Sequence, residues 1–186
     1  MLQQLRIYNS NIKLSPSINA FIMKTLLIIR HAKSSWGVPS LNDFDRPLNE
    51  RGKKDAPVMA QRLLDRKITI DAFVSSPAKR AKKTVELFCK GYHKHINDII
   101  YISALYQASA GNFFEVTEQL SDDFNCVAIF SHNPGITEFV NELTENKKIG
   151  DMPTCGVFAV TAAISRWKDF KKSKKDFLLF DFPKEV

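Results

Sequence analysis

Three stretches of this sequence, "KTLLIIR" (residues 24–30), "DAFVSS" (71–76) and "NCVAIFS" (125–131), have apolar centres with no in–out alternation. A strand reads that way when helices cover both of its faces, as in a parallel sheet. Between these runs, apolar residues recur at helical spacing. Alternating strands and helices predict an α/β fold, a three-layer α/β/α sandwich with a mainly parallel central sheet.

Local signals divide the chain further. Asn49 is the expected N-cap of a helix through about Lys67, with Ala56, Ala60, Leu63 and Leu64 on one face. Pro57 lies inside it and predicts a kink or a late start. Ser76 is the expected N-cap of the next helix, with Pro77 at its first position and Ala78, Ala81, Val85 and Phe88 inward. "DIIYIS" reads as strand, and "AGNFFEVTEQL" and "NPGITEFVNEL" as helices. "TCGVFAVTAAI" and "DFLLFDF" read as closing strands joined by the basic turn "KDFKKSKK", expected to be solvated. Phe113, Phe114, Phe124 and Phe130 suit core packing better than base stacking.

Composition sets limits. The 186 residues, 44% hydrophobic, suffice for one well-buried domain, and no Pro/Gly/Ser-rich stretch divides them. That domain is expected over residues 23–186. Residues 1–22 mix polar and apolar side chains ahead of Met23 and read as an extension outside the fold. No apolar run approaches the ~20 residues of a membrane span, and no secretory h-region is present, so the cytoplasm is the expected location. Cys89, Cys126 and Cys155 lie far apart without a CxxC, which suggests free buried thiols. A net charge of +7 suggests an anionic partner only weakly, because much of the excess sits in the basic turn. No nucleic-acid reading motif accompanies it. His93 and His95 form an H-x-H with no third ligand nearby, so no metal and no cofactor is expected. The oligomeric state is not legible.

The chemistry gathers where strands end. The first strand exits into Arg30-His31, the second into "SSPAKR" with Arg80, and a later one into "SHNPG" with His132. Open α/β sheets bind ligands outside the carboxyl ends of their strands, so neighbouring strands would bring these groups to one crevice. Two arginines and two histidines together call for an anion. Phosphate suits the arginine fork, and helix N-termini after Ser76 and Asn133 would add N–H donors.

These motifs, "IIRHAKSSW…DFDRPLNERG", "SSPAKRAKKT" and "FSHNPG", resemble the histidine phosphatase superfamily (phosphoglycerate mutase-like), and within it the SixA-like phosphohistidine phosphatases. The likeness runs from about Met23 to the C-terminus, with the three motifs in family order. It implies the histidine phosphatase fold and makes His31 a nucleophile that is transiently phosphorylated. Arg30, Arg80 and His132 would bind the phosphoryl group, and Arg46 of "DRPL" would occupy a further arginine position at the pocket. Asn133 is a candidate for substrate contact. The implied partner is a phosphorylated protein or a small phosphorylated molecule.

A neutral imidazole nitrogen would attack phosphorus in line, splitting one hard step into two, while fixed cations stabilise the transferring group. His132, if protonated, would donate to it. Water would then release phosphate. Two positions depart from the family pattern: Ala32 stands where Gly is usual, and Gln107 of "ALYQAS" stands where members often carry Glu. An amide cannot act as a general acid, so Asp43 and Asp45 are the candidate substitutes. The gap favours substrates that need little help to depart. An alkoxide, like water with a pKa near ~15.7, needs a proton badly. Imidazole, whose conjugate acid has a pKa of about 6.5, does not. The alternative function is a catalytically silent phosphoprotein- or anion-binding module of the same fold.

Overall fold

The structure, a computed structural model, describes residues 23–35 and 42–183. The expected extension, residues 1–22, lies outside the described residues. The strands are β1 (Met23–Arg30), β2 (Ala72–Ser75), β3 (Ile100–Tyr101), β4 (Cys126–Ser131), β5 (Val157–Ala163) and β6 (Asp176–Asp181). The helices are α1 (Glu50–Asp65), α2 (Lys79–Gly91), α3 (Ala110–Glu118) and α4 (Gly135–Leu143). The six strands form one sheet in the order β3-β2-β4-β1-β5-β6. Pairing is parallel from β3 to β1 and antiparallel from β1 through β6.

Burial on both faces explains the apolar runs. In β1, Leu26 and Ile28 join Phe113 and Phe139 in one core, while Leu27 and Ile29 join Ala60 of α1 and Phe88 of α2 in the other. Helices α1 and α2 thus cover one face and α3 and α4 the other, giving three layers. The order places β1 beside β4 and β4 beside β2, so the three strands with basic exits are contiguous.

Caps account for several boundaries. Asn49 Oδ1 accepts from the Gly52 N–H at 2.8 Å and starts α1. The kink or delay expected at Pro57 is not met as a boundary, since α1 continues through that residue. Pro57 faces solvent, where water can satisfy the carbonyl that its missing N–H leaves unpaired. Ser109 and Asn112 form a reciprocal capping box at α3.

Two expectations need correction. Ser76 does not cap α2, and Pro77 is not its first residue: α2 begins at Lys79 with Ala78 at the N-cap and no side-chain cap bond. A residue before proline is driven to extended backbone, and the Ser76 hydroxyl is engaged by a histidine described below. The basic turn is solvated as expected at Lys168, Lys171, Lys172 and Lys174 but not throughout. Phe170 within it and Trp167 just before it are fully buried, and the Lys175 ammonium lies 5.0 Å from the Phe170 ring centroid. No described helix is long and apolar enough to cross a membrane.

Candidate active site

The carboxyl ends of β1, β4 and β2 open into a cleft of about 640 Å³. Arg30, His31, Asp43, Arg46, Arg80 and His132 line it, with Tyr106, Gln107 and Asn133. Asp45 shares a 3₁₀ turn with Asp43 but is not among the lining residues.

His31 is fixed first through its backbone. Its N–H donates to Ser131 O of β4 at 3.0 Å, and its carbonyl accepts from Cys155 N–H at 3.1 Å. The next residue, Ala32, donates its N–H to Thr84 Oγ1 of α2 at 3.0 Å. The ring is then oriented by its own neighbour. Nδ1 lies 2.8 Å from Ala32 O, an atom that can only accept, so Nδ1 carries the proton. Nε2 therefore presents its lone pair and accepts from Arg80 Nε at 3.1 Å. Burial, with Arg80, Arg30 and Arg46 nearby, pushes the His31 pKa down to about 3 although the Ala32 bond opposes it. The imidazole is neutral at physiological pH, with one nitrogen unprotonated.

Arg80 reaches this spot because it is the second residue of α2. Helical side chains lean toward the helix N-terminus, so an early residue projects back over the strand ends. Its remaining donors go to Asp43: Nη2 to Oδ2 at 2.8 Å, and Nη1 to the main-chain carbonyl. Asp43 also accepts from Arg46 Nη1 at 2.9 Å and from Tyr106 Oη at 3.1 Å. Burial alone would raise the Asp43 carboxyl, but hydrogen bonding and charge from Arg80, then Tyr106 and Arg46, hold it below the usual carboxylate range. It is thus an ionised acceptor between two arginines, without a proton ready to give. Arg46 further donates Nη2 to Ser34 Oγ at 2.9 Å.

His132 lies beside His31, ring centroids 5.0 Å apart. Its Nε2 sits 2.8 Å from Ser76 Oγ, while Nδ1 is buried with no hydrogen-bond partner. Burial first, then His31 and Arg80, push its pKa far down, so it is neutral and the protonation on which the sequence reading made its donor role conditional is not met. Arg30 donates Nη1 to Asp151 Oδ2 at 3.1 Å and to Met152 O at 2.5 Å. Its buried Nε has no partner. Orphaned buried polar atoms are costly in a native fold, and here they belong to groups lining a cleft that an oxyanion would complete.

Asn133 lines the cleft, but its amide is already used. Nδ2 donates to Asp151 Oδ1 at 2.5 Å and to Met152 O at 3.2 Å, and Oδ1 accepts from Thr137 Oγ1 at 3.0 Å. It ties the α4 end of the cleft to the loop that holds Arg30. The N-terminus of α4 also enters the cleft at Pro134 and Gly135, whereas the expected N–H donors straight after Ser76 do not form a helix end. A Cβ at Gly135 would meet Ala108 O at 1.7 Å, so only glycine lets α4 approach the loop carrying Tyr106 and Gln107. Gln107 is exposed and adopts a left-handed φ of 52°, an uncommon state for a residue with a side chain.

Tyr106, Asp151, Thr84 and the true role of Ser76 were not read as site features from sequence. Tyr106 precedes the flagged Gln107, and Thr84 lies one helical turn after Arg80, but neither carries a motif. Among the described residues no group of three or more His, Cys, Asp or Glu side chains could hold a metal ion, and His93 and His95 are exposed.

A buried neutral histidine ringed by arginines, at the strand ends of a three-layer sandwich, defines an oxyanion-handling α/β protein. The sequence profile of the histidine phosphatase superfamily (branch 1) matches residues 26–125. The chain belongs to that superfamily. An uncharacterised chloroplastic protein of Arabidopsis thaliana is 28% identical over 168 residues, spanning 86% of this chain and 75% of that protein. The SixA protein of Agrobacterium tumefaciens superposes with a TM-score of 0.73 at 23% identity, covering 87% of this chain and 99% of that one. A protein histidine phosphatase SixA complexed with tungstate gives 0.72 at 21% identity, covering 85% and 96%. The chain therefore has the SixA fold.

Proposed function

We propose that the protein is a phosphatase working through a phosphohistidine on His31, with phosphohistidine in a protein, or an activated phosphomonoester, as substrate. The observation that carries this is the His31 ring itself. Nδ1 is committed to Ala32 O, and Nε2 is unprotonated, its lone pair held by Arg80 Nε at 3.1 Å until that donor turns to a phosphoryl oxygen. That is a nucleophile kept unprotonated beside the cation that would receive the phosphoryl oxygens.

In the reaction, a phosphoryl group enters between Arg80, Arg30 and Arg46, and the Asp43 carboxylate yields its place on Arg80. Nε2 attacks phosphorus as the bond to the leaving group breaks, and the arginines hold the three equatorial oxygens. Among the buried side chains of the cleft, His132 Nδ1 and Arg30 Nε have hydrogen-bonding capacity left to offer. Water then attacks the phosphohistidine, and His31 Nε2 regains its lone pair. The residues present supply this chemistry without a metal. Tungstate on the SixA relative, a tetrahedral oxyanion, is consistent with such a site.

The candidate acids expected from sequence are not poised to donate, which narrows the substrate. Gln107 cannot protonate a leaving group, Asp43 is held ionised, and Asp45 does not line the cleft, while the carboxyl that does line it besides Asp43, Glu138 of α4, is exposed to solvent. Substrates whose leaving group departs without a strong acid, P–N compounds and aryl phosphates, should turn over far faster than alkyl phosphates. Three buried free cysteines favour a reducing compartment such as the cytoplasm.

The direct test uses a chromogenic aryl phosphate with wild type and His31→Ala. Turnover in the wild type that falls at least ~10³-fold in the variant is expected. No turnover in folded wild type would leave only the binding module.

A further inference from the structure

Next to the cleft lies a groove lined by Pro47 and Leu48, by Lys53 of α1 and by Lys79, Lys82, Lys83 and Glu86 of α2. The four lysines are exposed. Lys53 and Lys83 pair with Glu50 at 2.6 Å and Glu86 at 3.2 Å. Lys79 and Lys82 have no ion-pair partner among the described residues, and the Lys82 ammonium lies 5.4 Å from the Tyr101 ring centroid.

This cluster opposes local helix physics. Lys79, Arg80, Lys82 and Lys83 fall within the first five residues of α2, whose first turn has no acidic residue. A helix N-terminus carries roughly half a positive charge, so cations there are unfavourable. Arg80 is explained by the cleft. The three lysines are not, since none lines it.

Groove and cleft are joined by chain continuity at both edges. Arg46 lines the cleft and Pro47 the groove, while Lys79 borders the groove and Arg80 lines the cleft. Successive Cα atoms are about 3.8 Å apart, so the two share a wall one residue thick at each of these edges. The lysine stems, with Pro47 and Leu48, offer apolar contact beneath the ammonium groups.

We propose that this groove docks an acidic stretch, rich in Asp and Glu, that flanks the phosphorylated residue of a protein substrate. The proposal rests on the phosphatase reading of the adjacent cleft. It selects a protein over a small molecule, because Lys82 and Lys83 lie outside the cleft that would take the phosphoryl group. Lysine contacts of this kind raise encounter rate and selectivity and fade with salt.

Phosphohistidine peptides with Asp/Glu flanks and with Ser/Gly flanks provide the test. At low ionic strength kcat/KM should favour the acidic peptide by about 10-fold, as a few partly exposed charge pairs supply. The preference should approach one in the variant K79E/K82E/K83E and in high salt, with turnover of the aryl phosphate unchanged. Equal kcat/KM for the two peptides, or a preference that survives charge reversal, would overturn the docking site. Anisotropy titration of the unphosphorylated acidic peptide needs no turnover, so loss of its binding in the variant supports the groove even if the aryl phosphate test fails. Oligo-dT binding to the groove as tightly as the acidic peptide does would overturn the commitment to protein.

Discussion

Asp43 already engages the arginines of the cleft. Its carboxylate and its carbonyl take the Arg80 donors that a phosphoryl group would need, and Arg46 and Tyr106 bond the same side chain. It acts as an internal anion that a substrate must displace. Asp43→Asn removes the competing charge. A hydrogen bond to a charged group contributes ~1.5–3 kcal/mol, so phosphate should inhibit the variant at about 10-fold lower concentration. Were the carboxyl instead the proton donor, kcat would fall and the phosphate inhibition constant would stay put. At this scale the sequence was only partly legible. Arg30, His31, Arg80 and His132 stand out because each follows an apolar strand. The Asp43–Arg80 and Ser76–His132 pairs join residues 37 and 56 positions apart and leave no local pattern.

Elements decide how closely these side chains converge. The order β2-β4-β1 puts three basic exits side by side, and it could be anticipated only as a condition, since apolar runs do not reveal which strands are neighbours. Helix starts were harder to read. Asn49 caps α1 as its type suggests, whereas Ser76 is diverted to His132 and α2 begins uncapped at Lys79. Gly135 sets the fit of α4 against the loop before α3. Gly135→Ala would drive a methyl group into Ala108 O, an overpacking that should cost at least ~2 kcal/mol. Urea melts should show the midpoint falling by that energy divided by an unchanged m-value. An unaltered midpoint would mean that α4 can shift freely and that its N-terminus does not fix the cleft.

For the molecule as a whole, the cleft ties stability to pH and to anions. Two buried histidines are held neutral: His31 falls from 6.5 to about 3 through burial and neighbouring arginines, and His132 is likewise lowered. Below 6.5 the unfolded chain takes up protons that the folded chain refuses. Their contribution is therefore complete above pH 6.5 and is lost as pH falls toward 3, at up to ~1.4 kcal/mol per pH unit for each group. Stability in phosphate-free buffer should decline between pH 7 and pH 5, and less steeply in His31→Ala. A flat profile there would contradict a buried neutral pair. On the proposed reading, the same depression would leave His31 competent as a nucleophile in mild acid, where an ordinary histidine would be blocked.

The most direct measurement is of the intermediate. Wild type is mixed with excess aryl phosphate, quenched in alkali within the first turnover and mapped by peptide mass. The account predicts one added phosphoryl group, labile to acid, on the peptide containing His31, and none in His31→Ala. Steady turnover with no adduct on trapping, or an adduct on any other residue, would contradict it.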